Sequence, residues 1–135
     1  MKKRQIRLTI RNDGDSPILT FLQEQTGRRR RKFLYELELL EISPVLGPPH
    51  VKAIRMAPGI FELRMRLGQM QRILFLLSED DSVVLLCGFC KRHDRDLYKA
   101  LRVARALRSA LVSGEAYTRI LDTREYENGK DEPPA

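Results

Sequence analysis

Chemistry built on cysteine and histidine has little to work with in this chain, which holds two of each in 135 residues. A structural zinc takes about four such ligands. Cys87 and Cys90, in C-G-F-C, look like half of a metal or redox motif. On a strand, however, residues three apart point to opposite faces, so the two thiols diverge. They read as buried structural cysteines, and no metal is expected. Also missing are carboxylate pairs at metal-ligand spacing, a glycine-rich phosphate loop, and Ser, His and Asp in a usable order. No apolar run approaches the ~20 residues of a membrane span. The polar start M-K-K-R-Q-I-R is followed by no signal-peptide core. The expectations are therefore no cofactor, no membrane contact and a cytoplasmic location.

What the chain does have is positive charge, unevenly spread. The net charge is +7, but residues 1–113 carry 22 Lys and Arg against 12 Asp and Glu, and residues 114–135 carry 3 against 6. The body is thus +10 and the tail −3, which favours a phosphate-bearing or acidic partner. The length suits one core. The expected division is a folded domain over 1–113 and an acidic tail over 114–135, disordered from about Asn128.

Hydrophobic periodicity supplies the elements. Ile6, Leu8 and Ile10 alternate with polar residues as in a half-buried strand. Ser16-Pro17 is an N-cap followed by proline at the first helical position, and Gly27 is the expected stop of that short helix. A second helix from about Arg28 to Ile42 would bury Phe33, Leu34, Leu37 and Leu40. Residues 44–59 read as an irregular connection. Strands follow over Ile60–Leu67, Gln71–Leu77 and Val83–Phe89, separated by Gly68-Gln69-Met70 and by Glu79-Asp80-Asp81-Ser82. A helix from Asp94 to Val112 would bury Leu97, Ala100, Leu101, Ala104, Leu107 and Leu111, with Arg95, Lys99 and Arg102 opposite. Tyr117, Ile120 and Leu121 suit one more helical turn. The order β-αα-βββ-α gives an α+β fold: a small antiparallel sheet with an αα-hairpin packed on it and a C-terminal helix.

Strand parity decides whether the arginines converge. A two-residue hairpin at Gly68-Gln69 would pair Met65 with Arg72 and turn a lone guanidinium toward the apolar side, at a cost of several kcal/mol. A three-residue loop pairs Arg66 with Arg72 instead. Arg64, Arg66 and Arg72 then share a face, and Lys91, Arg92 and His93 lie where the third strand ends. Sheet-surface solubility is the plain alternative for strand arginines. Three on one face beside a basic exit favour phosphate contact.

G-I-F-E-L-R-M-R, Q-R-I-L-F and G-F-C-K-R, in this order, resemble the sheet of RelE-superfamily toxins, especially the phage-derived HigB-like branch. The likeness covers residues 17–112. K-R-H-D-R-D-L-Y, from Lys91 to Tyr98, resembles the RelE pattern of a Lys-Arg pair with a tyrosine five residues beyond the arginine. The resemblance implies a RelE-like fold and a ribosome-dependent mRNA endonuclease, held in check by a cognate antitoxin of helix-turn-helix type. It assigns Arg64 and Arg72 to the phosphate, Arg92 to the leaving group, and Tyr98 to the general base. Glu62 departs from it, standing where RelE has a lysine, although E-L-R is ordinary in the HigB-like branch.

Those residue types suit metal-independent RNA cleavage. Guanidinium forks match phosphate geometry. Tyr98 is the candidate base for the 2′-hydroxyl, and His93, carrying the side-chain type most used for proton transfer, is a rival proton carrier. Further candidates for RNA contact are Arg66, Lys91, Arg95, Lys99, Arg102 and Lys52, with Arg29 and Arg30 from the run Arg28–Lys32. That run is otherwise the solvated start of a helix, unfavourably placed against the helix dipole. Two rival functions keep the fold: a ParE-like gyrase inhibitor, and a non-catalytic protein-binding relative.

Overall fold

The order of the strands in the sheet, β2-β3-β4-β5-β1-β6, follows from which segments can be covered on both faces. In the computed structural model, which describes residues 3–42, 51–65 and 70–122, the elements are β1 (Ile6–Arg11), α1 (Pro17–Gln23), α2 (Gly27–Ile42), β2 (Val51–Ala53), β3 (Ile60–Arg64), β4 (Gln71–Leu77), β5 (Val83–Cys90), α3 (Asp94–Ser113) and β6 (Ala116–Ile120). The apolar strands β4, β5 and β1 take the interior of the sheet. The fold is α+β, as expected.

Helices cover both faces. Phe33, Leu34 and Leu37 of α2 and Ile18 and Leu22 of α1 pack on Ile6, Leu8, Ile73, Phe75 and Leu85. On the other face Ala100, Leu101, Ala104 and Leu107 of α3 pack on Ile60, Leu74, Val84 and Leu86. Ser16 caps α1 by accepting from the Leu19 amide at 3.3 Å, while its hydroxyl donates to the Thr9 carbonyl at 2.8 Å. That pair of bonds ties the helix to β1.

Four expectations are corrected. The sheet is mixed: β1 lies parallel to β5, with Ile6 opposite Val83 and Leu8 opposite Leu85. Parallel pairing is tolerated there because helices bury both sides. The segment after Gly114 is a strand, β6, antiparallel to β1 with Ile10 opposite Tyr117. Gly114 closes α3 in the left-handed region (φ 82°) and turns the chain back into the sheet. The expected connection at 44–59 contains β2, which pairs with β3. Finally, α1 ends at Gln23 with Glu24 as its C-cap, and Gly27 opens α2. The expected disorder from Asn128 lies outside the described residues.

One irregularity aims the end of β5. Phe75 pairs with Leu85 but Leu74 pairs with Cys87, so Leu86 is an extra residue. A bulge of this kind reverses which side chains face each way beyond it. Gly88 therefore lies toward α1 and Phe89 toward α3.

Candidate functional site

The β3–β4 register puts Arg64 directly opposite Arg72. The expected partner of Arg72 was Arg66, two positions away. A slip of two leaves every side chain on its face, so the two arginines share one side of the sheet as predicted. Arg66 lies outside the described residues. The side is the one covered by α3, and the row runs on to Phe89, the β5 partner of Arg72.

Glu62 changes the chemistry of that row. Its Oε1 accepts from Arg72 Nη1 at 3.1 Å and from Arg64 Nε at 2.9 Å. The Arg72 and Glu62 side chains are each 3% exposed, whereas that of Arg64 is 36% exposed. Arg72, predicted to grip phosphate, is thus buried and paired. Burial, and secondarily Arg64, lower its pKa, against the opposing pull of Glu62. A lone guanidinium there would be prohibitive, and the carboxylate is what permits it. Arg64 is held only through Nε, and its two Nη groups have no acceptor among the described residues.

Lys52 belongs to this side as well. On β2 it lies opposite Glu62 and is exposed. Arg64 and Arg72 share the one carboxylate, and Lys52 on the neighbouring strand adds a further positive charge to this side.

At the end of β5 the Lys91 amide donates to the Met70 carbonyl at 2.9 Å, and its ammonium lies 3.8 Å from Asp94. The Asp96 carboxylate accepts from the backbone amides of Arg92 and His93, each at 2.9 Å. Those bonds hold the Asp96 carboxyl below the usual range, and they fix the turn from which the exposed Arg92 and His93 side chains project. Tyr98, one turn into α3, is 48% exposed. It shares a flank of the helix with Arg102 and Arg105, at i+4 and i+7. Arg105 donates to the Met56 carbonyl and Arg108 to that of Pro58 (2.8 Å), so this flank overlooks the β2–β3 connection. Tyr98 and Arg102 therefore stand on the same side of α3 as β3.

Other predicted residues fall elsewhere. Arg95 and Lys99 are exposed, and Lys99 lines a cleft of about 290 Å³ with Pro17, Cys90 and Val103, on the other flank of α3. Arg29 and Arg30 are on α2, across the sheet from Arg64. Arg30 is 2% exposed and its Nη2 donates to the carbonyls of Gln23 (3.3 Å) and Gln25 (3.1 Å). It closes the last turn of α1 and is not an RNA contact: a helix end leaves carbonyls unmet, and a buried cation meets them. The expectation of two buried cysteines holds for Cys87 alone, since Cys90 is half-buried. Cys87 packs under α3 with its thiol on the Ala100 carbonyl, and burial pushes its pKa up to about 12. A groove of about 860 Å³ lined by Arg7, Arg108, Asp80 and Val112 opens at the far end of α3 and holds none of the predicted residues.

The family described as phage-derived protein Gp49-like (DUF891) matches residues 20–109. The chain belongs to the Gp49-like family. That family is associated with the toxins of toxin–antitoxin systems. No curated protein matches the chain. The Gp49-like span runs from α1 into α3 and takes in Glu62, Arg64, Arg72, Arg92 and Tyr98, leaving β1 and β6 outside. Two members of the row were missed from sequence: Glu62 as the common acceptor, and Phe89 as the aromatic neighbour of Arg72. The parity of E-L-R signals the first, since Glu62 and Arg64 share a face at i, i+2. The second depends on the bulge, for which the sequence has no signal.

Proposed function

We propose that the protein is the toxin of a toxin–antitoxin pair and an endoribonuclease that cuts mRNA on the ribosome. The observation that carries this reading is the Arg64 guanidinium, anchored at Nε with no acceptor at either Nη among the described residues, on the side of a Gp49-like fold that Tyr98 also overlooks. In the proposed reaction Arg64 binds the scissile phosphate and Arg92 stabilises the departing 5′-oxygen. Tyr98 or His93 takes the proton of the attacking 2′-hydroxyl. Lys52, Lys91 and Arg102 hold the flanking backbone, and an antitoxin of helix-turn-helix type blocks the surface. Arg72 acts behind this layer, through Glu62.

The test combines purified ribosomes, a defined mRNA and the full chain. Cleavage products should map to codon positions, and Arg64→Ala with Arg92→Ala should reduce the rate by roughly 10²-fold or more. Uncut mRNA with soluble wild-type protein would refute the reaction. A second reading, a non-catalytic protein-binding relative, draws support from Glu62 and its neutralisation of Arg72. It predicts tight antitoxin binding, no cleavage and no growth arrest on expression. DNA damage without mRNA fragments would instead favour gyrase inhibition.

A further inference from the structure

Burying a carboxylate against a guanidinium is a poor way to stabilise a sheet. The desolvation cost is heavy, and apolar residues of similar volume do as well or better. A pair kept for stability alone would also have its hydrogen bonds complete. Here Glu62 Oε2 and Arg72 Nε are buried with no hydrogen-bond partner among the described residues. The satisfied oxygen is the shared one, and its second donor is Arg64 at 2.9 Å.

We infer that Glu62 is a positioning residue: braced from below by Arg72, it holds the Arg64 guanidinium at Nε so that the Nη fork meets a phosphodiester oxygen of RNA. This rests on the reading of Arg64 as the phosphate contact. An arginine side chain loses much rotamer freedom when it engages a ligand. A carboxylate at Nε removes that freedom during folding, so less is lost on binding. The fork that remains is the part of arginine suited to bidentate phosphate contact. Glu62 subtracts one unit of positive charge from the surface and gives direction to the charge beside it.

The test is the full chain carrying Glu62→Leu with Arg72→Met, which exchanges the buried pair for apolar side chains. One acid and one base are lost together, so net charge is unchanged and long-range attraction to RNA is not altered. The probe is a 2′-O-methyl oligoribonucleotide, which cannot be cleaved, with NMR observation of the Arg64 Nε–Hε resonance alongside. The double variant should fold and bind about tenfold more weakly, as for one oriented charge-assisted contact. Its Arg64 Nε–Hε should exchange rapidly with water. Glu62→Gln, which keeps an acceptor at Oε1, should retain most of the affinity with partly faster exchange. Should the double variant fail to fold, Glu62→Gln decides through its exchange rate, and an unchanged rate would overturn the inference. Wild-type affinity in the double variant, with Arg64→Ala weakened, would reduce Glu62 to a counter-charge and overturn the inference alone. Wild-type affinity in Arg64→Ala would remove the phosphate role of Arg64, and the inference with it.

Discussion

Gly88 is the point where β5 and α1 leave no room for a side chain, and Gly88→Ala should be costly. A Cβ there would lie 2.5 Å from Cε2 of Phe21, with Cδ2 and Cγ of the same ring nearer still. Ordinary contact between carbons begins near 3.5 Å, so the ring or the strand must give by about 1 Å. Phe21 cannot move freely. Its ring meets Phe33 edge-on, with centroids 5.5 Å apart and planes at 79°, and Phe33 is fully buried. Its carbonyl also accepts from Gln25 Nε2, and Ser16 pins the start of α1 to β1. Overpacking of this kind costs about 1–3 kcal/mol. For a chain of this length that corresponds to roughly 4–12 °C in Tm.

Thermal and urea melts of wild type, Gly88→Ala, Phe21→Ala and the double variant measure it. Removing the ring also removes the collision, so the two substitutions should couple favourably by about 1 kcal/mol or more. Gly88 faces α1 whereas Arg64 and Glu62 face α3, so folded Gly88→Ala should bind the uncleavable oligonucleotide as wild type does. A Tm within about 1 °C of wild type, or strict additivity in the cycle, would refute the packing argument.

Arg30→Met should destabilise the fold by about 2–4 kcal/mol, because two carbonyls at the end of α1 lose a charged donor, while RNA affinity of the folded variant stays unchanged; a melt and a binding titration separate the two. Cys90 should react with a thiol reagent at neutral pH while Cys87, with its pKa near 12, reacts only on unfolding; mass spectrometry of the labelled chain reports which. The Asp96 carboxyl titrates below its unfolded value, so its contribution to stability is present above the ordinary range near pH 4 and is lost as pH falls through the depressed value. Asp96→Asn should therefore flatten the acid limb of Tm against pH, and an unchanged limb would show that its bonds to the Arg92 and His93 amides contribute nothing. Lys52→Ala should lower the slope of log affinity against log salt by about one, the outcome expected of the exposed phosphate contact that the proposed function assigns to it.

The parts of the fold that were legible in sequence are those whose periodicity is strong and local. Six apolar residues from Leu97 to Leu111 at helical spacing define the buried face of α3. The alternation from Ile60 to Met65 defines the two faces of β3, and with them the shared side of Arg64 and Arg72. The misread parts are set by distant partners. Tyr117, Ile120 and Leu121 have the spacing of a helical turn, yet the segment becomes β6 because β1 offers it a row of backbone groups to pair with. Three residues are too few for β2 to show a period, so Lys52 was read as loop. Burial of Arg30 and Arg72 depends on oxygens delivered by other segments, the end of α1 in one case and Glu62 in the other.

Glu62 also bears on how the basic surface divides its work. On the proposed function, exposed cations such as Lys52, Arg92 and Arg102 would attract RNA through a field that salt screens within about 10 Å. They can follow the backbone in many poses, which suits capture but not reaction. Bond cleavage needs one pose, held to a fraction of an ångström, and a guanidinium fixed at Nε approaches that where a free one does not. Arg72 and Arg64 share Glu62 Oε1, so a substitution of any of the three should be felt at the other two. Single variants of this triad will consequently overstate what each residue does. The double substitution that keeps net charge constant is the measurement that separates direction from attraction.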